Sequence, residues 1–294
     1  MANAHAPDGS SYYIPHGSPW PIRGSLALFA LMAGAISYLN DWVGGWAFLP
    51  GVILLAYMFF GWFATVIGES QHGIYNDQVD HSFRMGMMWF IFSEVMFFGA
   101  FFGALFYARV LAVPWLGGEG VKVFTNYILW PHYEAAWPTN GPGHVGGVNG
   151  SFSPMSPIPI PALNTAILLT SGVTVTIAHH ALRANQRGRL ALFLALTFLL
   201  GFTFVACQMY EYSEAYTEMG LRLTTGIYGS TFFMLTGFHG LHVTIGAIML
   251  LVIWLRVLRG HFTPQRHFAF EAVAWYWHFV DVVWLGLFIF VYWL

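Results

Sequence analysis

The residues of this chain that could carry out chemistry lie inside long apolar segments, and the first of them is Glu94. It is at the centre of Phe90-Ile-Phe-Ser-Glu-Val-Met-Phe-Phe98, within an apolar run over 82–111. At 1.5 Å per helical residue, Glu94 would lie roughly 18 Å along a helix, near the middle of a hydrocarbon layer about 30 Å thick. An ionised carboxylate is costly there, so Glu94 is predicted to be protonated, paired or directed towards a polar crevice. A neutral glutamate that serves packing alone is the alternative.

Two histidines in a later apolar segment form a second candidate site. His239 and His242 belong to Thr236-Gly-Phe-His-Gly-Leu-His242 and lie three residues apart, on one face of a helix. This spacing would suit two ligands of one metal ion, but no Cys, Asp or Glu lies within a turn of them. We therefore favour histidines that form hydrogen bonds between helices, with metal or haem ligation as the alternative.

A further pair, His179 and His180, ends another apolar segment beside an arginine-rich turn. Neighbouring residues point about 100° apart on a helix, so these two rings cannot readily face one ion. They are predicted to be polar anchors at the membrane interface. The sequence predicts no metal-binding residues in this chain.

The last apolar segment contains four polar or amphipathic side chains. Glu271, Trp275 and His278 follow helical steps of four and three and share a face, and Asp281 lies about a quarter turn away. Such groups need partners on other helices when they lie inside a membrane. Two interpretations remain open: a polar zipper that holds helices or docks a partner, which we prefer, and a route for proton transfer.

These side chains must be positioned by membrane-spanning helices, because the composition excludes a soluble fold. Of 294 residues, 57% are hydrophobic and 8% are charged, whereas soluble domains carry about 25% charged residues. Repeated apolar runs of 18 or more residues predict an all-α, polytopic membrane protein. The net charge of −2 gives no reason to expect a nucleic-acid partner, and the single Cys207 excludes internal disulfides. We expect no cleavable signal peptide, since the first twenty residues are polar and rich in Pro, Gly and Ser.

Seven transmembrane helices are predicted. The chain is expected to consist of a polar tail at 1–21, helices one and two in 22–67, a polar connection at 68–81, helix three at 82–111, a long loop at 112–161 and helices four to seven in 162–294. Within helix three, the GxxxG spacing of Gly99 and Gly103 would allow another helix to approach closely.

Basic residues are distributed unequally between the two sides of the membrane. The side of the N-terminus would receive eight of them: Arg23, Arg84, Arg183, Arg187, Arg189, Arg256, Arg259 and Arg266. The other side would receive three: Arg109, Lys122 and Arg222. This asymmetry predicts a cytoplasmic N-terminus and an extracytoplasmic C-terminus. The loop at 112–161 and an acidic turn with Glu211, Glu214 and Glu218 are then expected outside.

The sequence contains no nucleophile–base arrangement, phosphate-binding loop or cofactor fingerprint. From the residues alone, a transporter, a proton-conducting protein and an accessory subunit of a larger complex all remain open.

Five motifs narrow this choice. They are Ser93-Glu-Val-Met-Phe-Phe98, Ala178-His-His180, Tyr228-Gly-Ser-Thr-Phe-Phe233, Thr236-Gly-Phe-His-Gly-Leu-His242 and Phe270-Glu-Ala-Val-Ala-Trp-Tyr-Trp-His-Phe-Val-Asp-Val-Val-Trp284. In these motifs and their order, the chain resembles subunit III of the haem–copper cytochrome c oxidases, of the bacterial type. The resemblance extends from about Trp20 to the end of the sequence.

The resemblance implies a fold and a role. Helices one and two would form a two-helix bundle, helices three to seven a five-helix bundle, and lipid would fill the cleft between them. The implied function is that of a non-catalytic core subunit of the proton-pumping oxidase that passes electrons from cytochrome c to oxygen. Haem and copper are expected in the partner subunits I and II, with no redox centre in this chain. It would stabilise subunit I, bind phospholipid, support proton uptake and protect the enzyme during turnover, in the bacterial inner membrane.

The resemblance also assigns residues. Glu94 matches the family's cleft glutamate, and Trp62 and Arg256 match its lipid-contacting positions. His239, His242, Glu271, His278 and Asp281 are expected as intramembrane polar groups. A small fourth subunit is a further candidate partner.

Two rival functions remain. One is a subunit of a quinol-oxidising haem–copper oxidase, but such relatives lack the first two helices, and this chain has two apolar runs before Ser82. The other is an independent transporter, for which we find no paired half-helices or inverted symmetry.

Overall fold

The computed structural model describes residues 17–148 and 150–294, and the regular structure in them is helical. The helices are α1 (Trp20–Leu39), α2 (Leu49–Gln71), α3 (Asp77–Phe106), α4 (Val113–Leu116), α5 (Val123–Leu129), α6 (Ile160–Arg183), α7 (Arg187–Thr217), α8 (Gly226–Leu258) and α9 (Phe268–Leu287). The predicted all-α class is therefore confirmed. Residues 1–16 of the predicted tail at 1–21 lie outside the described residues.

Seven segments of the described chain are long and apolar enough to cross a membrane, which confirms the predicted count. They are Trp20–Leu39, Gly45–Gln71, Asp77–Leu116, Ile160–Arg183, Arg187–Thr217, Gly226–Leu258 and Phe268–Trp293. The third is the longest, because α3 continues through a π-helical turn at Tyr107–Ala112 into α4. A second π-helical turn, Phe288–Trp293, extends α9.

The connection between α2 and α3 is shorter than the predicted 68–81, because both helices extend into it. The start of α3 is stabilised by Asn76, whose side-chain oxygen accepts the Val79 N–H at 2.9 Å. Asp77 and Asp80 lie in the first turn, where negative charge favours the helix dipole. These polar residues therefore start a helix instead of forming a loop.

The chain divides into two compact units, residues 1–85 and 86–294. The first unit contains α1 and α2, which approach each other at glycines. A Cβ placed on Gly51 would lie 2.6 Å from the backbone nitrogen of Leu31, and one on Gly61 would collide with the Trp20 ring. The Trp20 indole also donates to the Thr65 hydroxyl at 3.1 Å. Close backbone contact therefore holds this pair, as in other small-residue interfaces of membrane helices.

The core of the second unit lies among α6, α7, α8 and α9. Trp277 and Trp284 of α9 are fully buried there. The Trp277 indole donates to the Ser171 hydroxyl and the Trp284 indole to the Thr165 hydroxyl, both at 2.9 Å. Gly201 supplies the space, since a Cβ there would lie 2.6 Å from the Trp277 ring. The two indoles thus fix α9 against α6 by packing and by polar contacts.

Among the described residues, no helix packs against the GxxxG spacing on α3. A Cβ on Gly99 or on Gly103 would meet no atom of the described residues within 4 Å. The close approach predicted from this spacing is therefore absent from the described part of the molecule.

The segment between α4 and α6 contains no long helix among its described residues, as its prolines and glycines predict. The predicted acidic turn with Glu211, Glu214 and Glu218 is wrong for its first two members, because α7 extends to Thr217 and includes Glu211 and Glu214. Glu211 is 1% exposed and is not part of an exposed acidic turn.

Candidate functional site

Glu94 forms a pair with His242, which we call the Glu94–His242 pair. The Glu94 carboxylate on α3 lies 2.9 Å from Nε2 of His242 on α8, and both side chains are largely buried. Nδ1 of the same imidazole lies 2.6 Å from the Phe238 carbonyl oxygen. Because a carbonyl only accepts, Nδ1 must carry a proton.

This fixes the number of protons in the pair. If His242 is neutral, Nε2 is an acceptor and Glu94 must be protonated to donate to it. If Glu94 is ionised, His242 must be protonated at both nitrogens. Either form has one proton between Oε2 and Nε2 and no net charge. The pair can therefore lie inside a membrane without an isolated charge. Of the predicted states of Glu94, the geometry favours the paired one.

Aromatic rings enclose the His242 side of the pair. The Phe98 ring lies 5.0 Å from the imidazole edge-on, and the Phe97 ring lies 6.0 Å away. Tyr276 of α9 stacks over His242 at 6.3 Å. The structure thus places the rings of Phe97 and Phe98 against the imidazole partner of Glu94. These apolar neighbours strengthen the hydrogen bond by lowering the local dielectric.

His239, one turn before His242, has a different partner. It is fully buried, and its Nε2 lies 3.2 Å from the Val280 carbonyl oxygen of α9. The favoured hydrogen bond between helices is therefore present, and the two histidines contact different helices. Their spacing does not bring them to one metal site.

Glu271 at the start of α9 contacts two imidazoles. Its Oε1 lies 3.3 Å from Nε2 of His267 and 3.6 Å from Nε2 of His179 on α6. His180, the neighbour of His179, is exposed. Trp275 and His278 share a face with Glu271 in sequence, whereas the imidazoles that lie next to the Glu271 carboxylate are those of His267 and His179.

His278 and Asp281 form a separate cluster at mid-helix. Nδ1 of His278 lies 3.4 Å from Oδ2 of Asp281, and its Nε2 lies 3.3 Å from the Thr176 hydroxyl of α6. Asp281 lies against Gly172, where a Cβ would collide with the carboxylate. This cluster joins α9 to α6, which fits the preferred interpretation of a polar zipper.

The two predicted lipid contacts differ in exposure. Trp62, in the first unit, is 44% exposed and stacks on Phe63. Arg256 is 9% exposed, with its guanidinium 4.5 Å from the centre of the Phe262 ring. Little of Arg256 is thus left for a lipid headgroup. In the following turn, burial and the positive charges of Arg256 and Arg259 lower the pKa of His261.

One buried acid was missed as a candidate. Oε1 of Glu211 accepts the Tyr292 hydroxyl at 2.7 Å. The signal was in the spacing, because the buried side of α7 follows alternating steps of three and four through Leu194, Thr197, Gly201, Phe204, Gln208, Glu211 and Ala215. Glu211 continues this stripe, so the helical periodicity indicated an inward-facing side chain.

The carboxylate–imidazole pairs formed by Glu94, Glu271 and Asp281 are arrangements that hold, share or exchange protons. Two of them, Glu94 with His242 and Glu271 with His179, join helices that are far apart in sequence. Comparison with known proteins identifies the family of the chain. The family model described as cytochrome c oxidase subunit III matches residues 10–123 and 119–294.

Individual proteins agree with this match. The chain is 40% identical to cytochrome c oxidase subunit 3 of Carassius auratus and of Papio hamadryas, and 39% identical to that of Struthio camelus. Each comparison covers 96% of this chain and 97% of the relative. The chain therefore belongs to the cytochrome c oxidase subunit III family.

Proposed function

We propose that this chain serves in a respiratory oxidase that passes electrons from cytochrome c to oxygen and pumps protons, and that it holds no redox centre itself. Family membership makes it a core subunit of an oxidoreductase complex with other oxidase subunits. In the proposal, subunits I and II hold the haem and copper, and a small fourth subunit is a further partner. The chain stabilises subunit I and protects the enzyme against inactivation during turnover.

The Glu94–His242 pair is the observation that carries a role in proton uptake. Its single shared proton can lie on either partner without changing the net charge. A shared proton of this kind can pass to a neighbouring donor or acceptor, which is what a supporting role in proton uptake requires. We assign the pair a supporting role, because the oxidase's own proton route belongs to subunit I.

Phospholipid is the proposed neighbour of this pair. On α3 around Glu94, Phe92, Val95 and Met96 are each about half exposed and offer an apolar surface to acyl chains. Trp62 is proposed as a lipid contact of the first unit. A headgroup at Arg256 stays a prediction, limited by the burial of that side chain.

The test begins with Glu94→Gln in the assembled oxidase. Glutamine keeps the shape and can still donate one hydrogen bond to Nε2 of His242, so assembly and oxygen reduction should largely persist. We expect a partial loss of proton pumping and a shorter lifetime during turnover, measured by proton release and by the decay of oxygen consumption. Glu94→Asp shortens the side chain and should disturb the contact more.

Chemical labelling provides an independent readout. A hydrophobic carbodiimide reacts with protonated carboxyl groups in apolar surroundings, so it should modify Glu94 and spare the Glu94→Gln complex. Glu134, which is exposed outside the spans, is the matched control for a water-soluble carbodiimide. Complete loss of pumping in fully assembled Glu94→Gln oxidase would show that Glu94 is an obligatory proton carrier and would refute the supporting role.

The proposed orientation places the N-terminus in the bacterial cytoplasm and residues 112–161 outside. In a Cys207→Ser background, cysteine at the exposed Val145 should react with an impermeant thiol reagent in intact cells. Cysteine at Gly188 should react after the membrane is opened, and a Cβ there meets no described atom within 4 Å. The reverse labelling pattern would overturn this topology.

Cytochrome c is the proposed donor to the complex, because α1 and α2 precede α3 and quinol-oxidising relatives are expected to lack them. Purified oxidase should oxidise reduced cytochrome c rapidly and quinol slowly. The opposite preference would favour the quinol-oxidising alternative.

A further inference from the structure

Three side chains converge at one end of α9 and are not used by the proposed function. They are His179 on α6, His267 immediately before α9 and Glu271 in its first turn. Oε1 of Glu271 lies 3.3 Å from Nε2 of His267 and 3.6 Å from Nε2 of His179. All three ligand atoms lie within 4.8 Å of one another. We call these residues the His179–His267–Glu271 cluster.

The two distances between the carboxylate and the imidazoles are those of metal ligands. Nitrogen and oxygen ligands lie about 2.0–2.2 Å from Zn²⁺, and in a tetrahedron this separates two ligands by about 3.3–3.6 Å. Both distances to Oε1 fall at these values. Neither Nε2 atom has a hydrogen-bond partner among the described residues. Hydrogen bonds therefore do not account for the approach of the two rings to the carboxylate.

The tautomer of His267 also indicates that a cation or a proton lies between this ring and Glu271. Its Nδ1 lies 3.1 Å from the Thr263 carbonyl oxygen, which only accepts, so Nδ1 carries the proton. In the neutral ring, Nε2 then directs a lone pair towards the Glu271 oxygen, and the two acceptors repel unless a cation or a proton lies between them. A histidine whose second nitrogen donates to a backbone carbonyl is the usual arrangement of a metal ligand.

The cluster is largely buried but stays partly accessible from outside the protein. His267 and Glu271 are largely buried, and His179 is about one quarter exposed, which leaves a path for an ion. Phe270 lies beside His179, with 5.5 Å between the ring centres. Arg183, one turn further along α6, opposes a cation through its positive charge, so the Glu271 carboxylate and direct ligand bonds must supply the affinity.

We propose that the His179–His267–Glu271 cluster binds a divalent transition-metal ion, of which Zn²⁺ fits best, with water as the fourth ligand. Two imidazoles and one carboxylate are a ligand set that suits Zn²⁺. Zn²⁺ has no redox chemistry, so the site is compatible with a subunit that carries no redox cofactor. The proposal differs from the sequence-based prediction of no metal-binding residues. Spacing along the chain could not show that His179 on α6 lies next to His267 and Glu271.

The test is zinc binding to the intact, purified oxidase after treatment with a chelator. Wild-type oxidase should retain one zinc more per complex than the His267→Asn variant, measured by elemental analysis across a titration with free Zn²⁺. His267→Asn and Glu271→Gln should each lower the affinity of that site at least tenfold, since loss of even an outer-shell partner costs about 10–100-fold. His180→Asn is the matched control and should bind zinc like the wild type.

Zinc could also bind elsewhere in the complex, so a second experiment locates the ion. In zinc-soaked wild-type oxidase, anomalous scattering should show a peak between the three ligand atoms, and Glu271→Gln should remove it. Equal zinc binding by the wild type and all three variants would overturn the proposal. So would the absence of a peak at saturating zinc, which requires no variant to fold and leaves the role of the subunit in the oxidase untouched.

Discussion

In α1 and α2, 11% and 6% of the most apolar stretch is buried, whereas in α6 to α9 the share lies between 33% and 50%. The first pair is held where glycines allow the backbones to touch, as at Gly51 and Gly61. The later helices are held by large side chains that also form hydrogen bonds, above all Trp277 and Trp284. The difference shows that a membrane helix with a small interface depends on backbone contact, whereas a packed bundle depends on buried aromatic anchors.

The largest effect is expected from the anchor of the packed bundle. Trp277→Ala would leave a cavity among α6, α7 and α8 and leave the Ser171 hydroxyl without its donor. We expect a loss of about 3–5 kcal/mol in the free energy of unfolding, measured by denaturant titration of the full chain in mixed micelles. Trp293→Ala, at a 61% exposed tryptophan, is the control and should change little. Equal effects of the two variants would show that the indole is not an anchor.

A smaller effect is expected from the first pair. Gly51→Ala would push a methyl group against the backbone of Leu31 and separate α1 from α2. Overpacking of this kind costs about 1–3 kcal/mol, measurable in the same titration. Gly68→Ala, in the same helix with no atom within 4 Å, is the matched control and should be neutral or slightly stabilising. If both substitutions stabilised the chain, close backbone contact would not be what holds the pair.

The smallest effect is expected when the hydrogen bond of a buried tryptophan is removed and its packing is kept. Thr165→Val keeps the shape of the side chain but removes the acceptor of the Trp284 indole. Hydrogen bonds between membrane helices contribute about 0.6 kcal/mol on average, so we expect a loss of this order. Thr170→Val is the control, because Thr170 forms a bond only within its own helix and is exposed. An identical result for both threonines would assign the whole effect of Trp284 to packing.

The number and order of the helices could be predicted from the sequence, because the requirement for apolar length acts locally. Helix ends were less certain. The polar residues after 71 looked like a connection, but Asn76 and Asp77 start α3. Glu211 was placed in a turn because two further acids follow it, although its position in the buried stripe of α7 shows that it faces inward.

Partners across helices could not be predicted in the same way. Glu94 was recognised as an acid that needs a partner, but periodicity within α3 contains no information about His242 on α8. Glu271 was grouped with His278 because they share a face, whereas its carboxylate lies next to the imidazoles of His179 and His267. Helical spacing identifies the face of a residue, and only the packing of helices decides what that face meets.

The hydrogen bond between Glu211 and Tyr292 can form only late in the synthesis of the chain. The two residues are 81 positions apart, and protein synthesis adds about 5–20 residues per second, so Glu211 enters the membrane on the order of ten seconds before its partner exists. The contacts of α1 with α2 involve residues close in sequence and are complete early. The nascent chain therefore carries an unsatisfied carboxyl group while its last 81 residues are made, and the end of α9 with its π-helical extension is the segment that ends the exposure of this group to the insertion and quality-control machinery.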